Sequence, residues 1–303
     1  MRIIDVALQA EKALIIGIGG GGDVISTLYV RNFLDRFDVD CICGGVIWER
    51  YIRDRHPGPR SIDEIEGIEI ISSNLGFLSG DERIGSIKPI ASMVAEFTGE
   101  RVLALSIRRG AKPLASDLKE FILDNSIDLV IGVDAGGDSL ARGNENDLVS
   151  PLADSLMLSV LSQFESILAV AGFGSDGELE RETIERYLTE MHSSILGAGI
   201  VEFEHSFMEF VRNVESEASK IPALARNGYY GPYNFWSERE MHVSILNSMI
   251  FYLDLKNVYE RSPIAPLLKN TESIEEANKI LNKFGIRTEL DLEIELAKRD
   301  GLL

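Results

Sequence analysis

Four consecutive glycines, Gly19 to Gly22, form the first segment whose residue types could bind a ligand. Together with Gly17 they satisfy the spacing G-x-G-x-x-G between an apolar run and a helical pattern. Glycine lets the backbone approach a ligand closely, and free N–H groups at a helix N-terminus attract an anion such as phosphate. We therefore predict that Gly19, Gly20, Gly21, Gly22 and Asp23 bind an anion.

The same glycines admit a plainer interpretation, in which they form a tight turn that Asp23 caps. Four glycines cost more chain entropy than a turn needs, which favours the ligand interpretation. A dinucleotide is disfavoured because the second strand runs into Gly44-Gly45, where an acid is expected, and Glu49 comes late. Glu49 and Arg60 are further ligand-binding candidates, and an arginine can clamp an anion through two hydrogen bonds.

A second glycine-rich loop carries two acids four residues apart. Asp134 ends an apolar run, and Asp138 follows Gly136 and Gly137, with Ser139 next to it. Carboxylates in this arrangement can hold Mg²⁺ through water or bind sugar hydroxyls. We predict Asp134 and Asp138 as catalytic residues and as ligands of a possible Mg²⁺, and Gly136, Gly137 and Ser139 as ligand-binding residues. If Asp134 waits for a ligand, its neutralisation should not destabilise the empty protein.

A third loop offers Gly174 and Asp176 as ligand-binding candidates, beside Ser175 and Glu178. Ser-Asp-Gly-Glu before an amphipathic helix is equally typical of a helix cap. Other common sites are missing from the sequence. The four histidines show no zinc-binding spacing, and no G-x-S-x-G or G-x-x-x-x-G-K-[ST] motif occurs.

The elements that must position these loops alternate between apolar runs and amphipathic stretches. The predicted strands are 13–18, 39–43, 68–72, 101–107, 129–133 and 167–171, and the predicted helices are 24–36, 114–123, 151–163 and 179–191. This order predicts an α/β fold with a doubly wound, mostly parallel, Rossmann-like sheet and helices on both faces. Because all three loops follow strands, we expect them to meet at the carboxyl edge of the sheet.

The last third of the chain differs in character. Residues 202–225 predict one or two helices, 228–236 an aromatic-rich loop, 241–246 a strand, and the remainder charged helices. We interpret the chain as a single α/β domain over 1–303, with a Rossmann-like core at about 10–200 and a mainly helical covering segment at about 201–303.

The composition excludes some partners. With a net charge of −19, the surface would repel nucleic acid, and no polybasic patch suits a membrane. A small anionic ligand stays compatible, because local amides and arginines can bind it against the overall field. The N-terminus shows no signal peptide, and Cys41 and Cys43 are too close for a good disulfide, so we expect a cytoplasmic protein. A homo-oligomer is compatible with this composition.

Several segments resemble the archaeal and bacterial domain of unknown function family 1152. They are Gly19-Gly-Gly-Gly-Asp-Val, Trp48-Glu-Arg, Pro57-Gly-Pro-Arg, Asp134-Ala-Gly-Gly-Asp-Ser-Leu-Ala-Arg-Gly, Ser150-Pro-Leu-Ala-Asp, Gly174-Ser-Asp-Gly-Glu-Leu and Glu217-Ala-Ser-Lys-Ile-Pro. The resemblance implies one unit over nearly the whole chain and draws attention to Trp48, Glu49 and Asp154. It implies no catalytic residues.

Three functions fit these patterns. The first is an enzyme, a transferase or hydrolase, that acts on a phosphorylated or nucleotide-like small molecule. The second is a non-catalytic nucleotide or metabolite sensor that uses the same loops. The third is a glycosyl-bond enzyme with paired carboxylates, which explains the acids but gives the glycines no role.

Overall fold

The computed structural model describes residues 2–235 and 240–303. A nine-stranded sheet in the order β3-β4-β5-β2-β1-β6-β7-β11-β8 forms its centre, and β9 and β10 form a separate hairpin. The strands are β1 (Lys12–Gly17), β2 (Asp40–Val46), β3 (Glu69–Ile70), β4 (Leu75–Leu78), β5 (Val102–Leu105), β6 (Leu129–Ala135), β7 (Ser166–Ala171), β8 (Ile195–Ile200), β9 (Gly231–Asn234), β10 (Glu240–Val243) and β11 (Met249–Asp254).

The five strands β5-β2-β1-β6-β7 run parallel, which confirms the predicted doubly wound α/β class. The chain passes from β1 outward through β2 to β5, then returns to the other side of β1 with β6 and β7. The direction of winding therefore reverses between β1 and β6. In such sheets the loops that leave the two strands at this point diverge and open a crevice for a ligand.

Helices cover both faces of the sheet, as the sequence predicted. They are α1 (Ile3–Ala7), α2 (Asp23–Leu34), α3 (Ile90–Thr98), α4 (Ala111–Asp124), α5 (Pro151–Leu161), α6 (Arg181–Glu190), α7 (His205–Asn213), α8 (Glu217–Arg226), α9 (Leu255–Arg261), α10 (Ala265–Leu268), α11 (Ile274–Lys283) and α12 (Glu289–Arg299). Helices α4, α5 and α6 pack with α9 to α11 on one apolar core, and α2, α3 and α7 pack on the other. Alternate residues of β1 pack in the two cores: Leu14 and Ile16 in the core with α4, α5 and α6, and Ile15 in the core with α2, α3 and α7.

The predicted strand 68–72 is reduced to the two residues of β3 at the sheet edge, and its neighbour β4 was not predicted. Strands β8 and β11 and helix α3 were missed as well. The predicted strand 241–246 covers β10 and then a 3-10 turn, so the strand that joins the main sheet is β11 instead. The predicted loop 228–236 contains β9, and its last residue, Trp236, lies outside the described residues.

Residues beyond 200 do more than cover the core. Strand β11 pairs with β7 on one side and β8 on the other, antiparallel to both. Helices α8 and α12 both contribute side chains to the lining of the cavity at this crevice. No helix in the described part of the chain has the length and apolar character needed to cross a membrane.

Candidate functional site

A cavity of about 440 Å³ lies at the carboxyl ends of β1 and β6. Its volume falls within the range of small-molecule sites. All three glycine-acid loops contribute to it, through Gly19 to Asp23, Asp138 and Asp176. The other lining residues used below are Trp48, Glu49, Arg50, Ser150, Asp154, Glu178, Glu289 and Glu293. The winding of the sheet thus brings together residues from distant parts of the chain.

The glycine loop lies against the N-terminus of α2. Gly19 donates its N–H to Asp23 Oδ2 at 3.0 Å, and Gly21 donates to the carbonyl of Trp48 at 2.9 Å. Neither Gly20 nor Gly22 donates its N–H to another described residue. Two backbone donors therefore remain for a ligand, at the positive end of the helix dipole.

Arg50 lies over this loop. A methyl group on Gly20 would come within 2.7 Å of Arg50 Nε, so a side chain at position 20 would displace the guanidinium. The guanidinium also stacks 5.0 Å from the ring centre of the buried Trp48. Its Nη1 is buried without a hydrogen bond to any described residue, and Glu289 Oε1 lies 3.7 Å away. The Arg50 side chain is nevertheless 33% exposed and lines the cavity, so its guanidinium can bind an anion there.

Asp134 lies beneath the cavity at the end of β6 and is fully buried. Gly137 and Ser139 donate their N–H groups to its two oxygens at 3.2 Å, and the Ser139 hydroxyl donates to Oδ2. These hydrogen bonds fix the turn that Gly136 and Gly137 form at φ of 132° and 128°. Asp134 thus has an internal structural task, which is the alternative to an acid that waits for a ligand.

Five aspartates cluster at the floor of the cavity. One triplet consists of Asp23, Asp134 and Asp154, and another of Asp134, Asp138 and Asp176; within each, one oxygen per residue lies within 4.8 Å of the others. Burial, reinforced by Asp134, raises the pKa of Asp23 to about 7. Burial and neighbouring carboxylates raise the pKa values of Asp138, Asp154 and Asp176 well above the ordinary value. The cluster lacks the positive charge needed to ionise all its members.

Asp154 differs from the acids around it. It stands in the first turn of α5, is 2% exposed, and its Oδ1 has no hydrogen bond to any described residue. A buried polar atom without a partner is costly and rare in native proteins. Asp154 therefore has a carboxylate oxygen that accepts no hydrogen bond within the protein and is available to a ligand.

Four glutamates of the cavity wall have their partners already. Backbone amides donate to them as follows: Ile90 to Glu49, Val149 and Ser150 to Glu178, Leu152 and Ala153 to Glu289, and Tyr51 and Gly58 to Glu293. Arg53 adds a hydrogen bond of 2.8 Å to Glu49, and the Trp48 indole adds one of 2.9 Å to Glu293. These carboxylates join loops and helices across the walls and leave little capacity for a ligand.

The structure separates the predicted ligand residues into two groups. Gly19 to Asp23, Glu49, Asp138 and Asp176 line the cavity. Arg60 does not, because Asp54 and Glu64 bind its guanidinium at 2.7–2.9 Å. Gly136, Gly137, Ser139 and Gly174 shape the turns beneath; for example, Gly174 donates its N–H to the Gly136 carbonyl at 2.7 Å. Asp176 has both oxygens bound by amides, from Asp138 at 3.2 Å and Glu178 at 2.9 Å.

Sequence reasoning did not select Arg50, Glu289 or Glu293. Arg50 stands within the Trp48-Glu-Arg segment of the family resemblance, which could have pointed to it. Glu289 and Glu293 belong to a highly charged helix, where acids usually face solvent. Their buried positions depend on how α12 packs, and no local pattern distinguishes them.

Comparison with known proteins agrees with the resemblance seen in the sequence. A family model described as "Protein of unknown function (DUF1152)" matches residues 14–297. Neither the curated proteins nor the solved structures contain a match to the chain. Because the match spans nearly the whole chain, the protein belongs to the DUF1152 family.

Proposed function

We propose that the protein is an enzyme, a transferase or hydrolase, that acts on a phosphorylated or nucleotide-like small molecule in this cavity. One observation carries the proposal. The N–H groups of Gly20 and Gly22 and the guanidinium of Arg50 donate to no described residue, the Arg50 side chain is 33% exposed, and all three residues line the same cavity. Backbone amides at a helix N-terminus together with an arginine suit the oxygens of a phosphate group.

The reacting group is assigned to the second loop. Asp138 lines the cavity, whereas Asp134 supports it from below, so Asp138 is the one of the pair that a ligand can touch. Burial and the charges of Asp154 and Glu178 raise the pKa of Asp138, which favours its protonated form. We assign to Asp138 the transfer of a proton to or from the substrate, with Asp134 as its supporting residue.

The test is a thermal-shift panel of inorganic phosphate, nucleotides and sugar phosphates, each with and without Mg²⁺. We expect at least one organic phosphate to raise the melting temperature, and Arg50→Gln to weaken its binding at least tenfold. Arg55→Gln is the matched control, because Arg55 is 62% exposed and pairs with Asp300 outside the cavity lining. The proposal fails if no phosphate compound binds at millimolar concentration, or if the two variants weaken binding equally.

Turnover distinguishes the enzyme from a sensor. The compound that binds most tightly is incubated with the wild-type protein and with Asp138→Asn, and products are followed by chromatography. Product formation that Asp138→Asn slows at least a hundredfold supports catalysis. Tight binding without turnover by the wild-type protein would establish the sensor instead.

We also assign this activity to the cytoplasm. Both cysteines are free, Cys43 is buried, and burial raises the pKa of the Cys43 thiol to about 11. Thiols in this state suit a reducing compartment.

A further inference from the structure

Three aspartates at the floor of the cavity come from three different elements. Asp23 begins α2, Asp134 ends β6, and Asp154 lies in the first turn of α5. Their carboxylate oxygens lie within 4.8 Å of one another, while Asp134 and Asp154 are nearly inaccessible to solvent. No basic side chain in the described part of the chain forms an ion pair with any of the three within 4.0 Å. Such proximity of like charges is unfavourable unless a cation or protons balance it.

The protein supplies only part of that balance from within. Asp23 Oδ2 accepts the N–H groups of Gly19 and Ala135 at 3.0 and 3.4 Å, and Asp134 accepts the turn amides. Asp154 Oδ1 accepts nothing, although it is buried. The Asp154 carboxylate therefore lies in a group of other carboxylates and has a buried oxygen that the protein leaves without a partner, as expected of a metal ligand before its ion binds.

The second triplet, Asp134, Asp138 and Asp176, also consists of three aspartates, but their oxygens have more partners within the protein. Both oxygens of Asp176 accept backbone N–H groups, and Asp138 Oδ2 lies 3.1 Å from the Ser150 hydroxyl, which also contacts Glu178 Oε1 at 2.6 Å and can donate to only one of the two. None of the buried atoms without a partner in the described chain belongs to Asp138 or Asp176.

We propose that Asp23, Asp134 and Asp154 bind one divalent cation of the oxygen-preferring class, with Asp154 as the ligand that the fold leaves free. The three ligands are all carboxylates, which suits Mg²⁺, Mn²⁺ or Ca²⁺ rather than zinc or copper. Asp23 and Asp154 both line the cavity, so water or substrate oxygens complete the coordination from that side. The inference deepens the proposed function, because a cation here would let a phosphate group approach an acidic site beside Gly20 and Arg50.

Cation binding is measured without any substrate, so that its outcome is independent of the proposed function. Protein freed of metal by a chelator and then desalted is titrated with Mn²⁺, followed by electron paramagnetic resonance, and with Mg²⁺ and Ca²⁺, followed by calorimetry. We expect one Mn²⁺ per chain and at least a tenfold loss of affinity in Asp154→Asn. Glu295→Gln is the control, because Glu295 is 63% exposed and lies outside the cavity lining, and it should retain affinity within about threefold. Asp138→Asn tests the second triplet as the alternative cation site.

Folding of each variant is checked by circular dichroism in the presence of chelator, and Asp154→Ala serves as a second variant that removes both oxygens. The inference is overturned if the wild-type protein binds none of the three cations at millimolar concentration. It is equally overturned if Asp138→Asn abolishes binding while a folded Asp154→Asn or Asp154→Ala retains it. If phosphate compounds stabilise the protein through Arg50 while no cation binds, the proposed function stands and this inference fails.

Discussion

Asp134 and Asp154 both contribute a carboxylate to the same cluster, but they differ in their hydrogen-bond partners. Three internal hydrogen bonds hold Asp134, whereas one oxygen of Asp154 has none. The sequence instead favours Asp134 as the ligand-binding residue, since it follows an apolar run and precedes two glycines, whereas Asp154 stands in the first turn of a predicted helix. An acid in a first helical turn is common, because it stabilises the helix dipole. Its lack of a partner is a tertiary property that no spacing reveals.

This difference changes the expectation for neutralising each residue in the metal-free protein. Asp134→Asn places an amide NH₂ against a backbone or hydroxyl donor, and we expect the free energy of unfolding to fall by about 1–3 kcal/mol. Asp154→Asn removes a buried charge that has no internal partner, so we expect unchanged or slightly raised stability. Chemical denaturation in the presence of chelator measures both.

The distinction would be wrong if both variants changed the stability in the same direction by similar amounts. In that case Asp134 would be a ligand-awaiting acid, as the sequence alone suggested, or Asp154 would be paired within the fold.

At the scale of elements, sequence patterns predicted the five parallel strands and the helices α2, α4, α5 and α6 well. These elements have long apolar runs or clear periodicity, which local reasoning can detect. The short edge strand β4 and the glycine-containing β8 (Ile195–Ile200) lack such runs. Strand β11 follows a turn within a segment of mixed character, so its place in the sheet depends on pairing with β7 and β8.

Two buried carboxylates, those of Glu289 and Glu293, attach helix α12 to the elements around the cavity through hydrogen bonds. Glu289 accepts the N–H groups of Leu152 and Ala153 at 3.0 and 2.9 Å and so caps the N-terminus of α5 from another part of the chain. We expect Glu289→Gln to lower the free energy of unfolding by about 1–3 kcal/mol, because charged acceptors at helix amides bind more strongly than neutral ones. Thermal and urea denaturation measure the change.

The matched control is Glu295→Gln on the same helix. Glu295 is 63% exposed and pairs with Arg287, which is 60% exposed. Exposed ion pairs contribute little, so this variant should stay within about 0.5 kcal/mol of the wild-type protein. Equal effects of the two substitutions would contradict the capping role of Glu289.

At the scale of the molecule, the net charge of −19 determines which partners can approach. We expect no retardation of duplex DNA or structured RNA in gel-shift assays at micromolar protein and 150 mM salt, because 49 acidic side chains outnumber 30 basic ones and repel the phosphate backbone. Binding that weakens steeply as salt increases would contradict this expectation.

Strand β11 also has a consequence for the order in which the chain can fold. Strand β7 is complete by residue 171, but its outer neighbour arrives only with residues 249–254. During synthesis the β7 edge therefore stays unpaired while some eighty residues emerge, and β8 cannot join the sheet before β11 does. Open edges of this kind invite association between unfinished chains. The nascent chain therefore exposes an unpaired strand edge throughout the interval between these two strands.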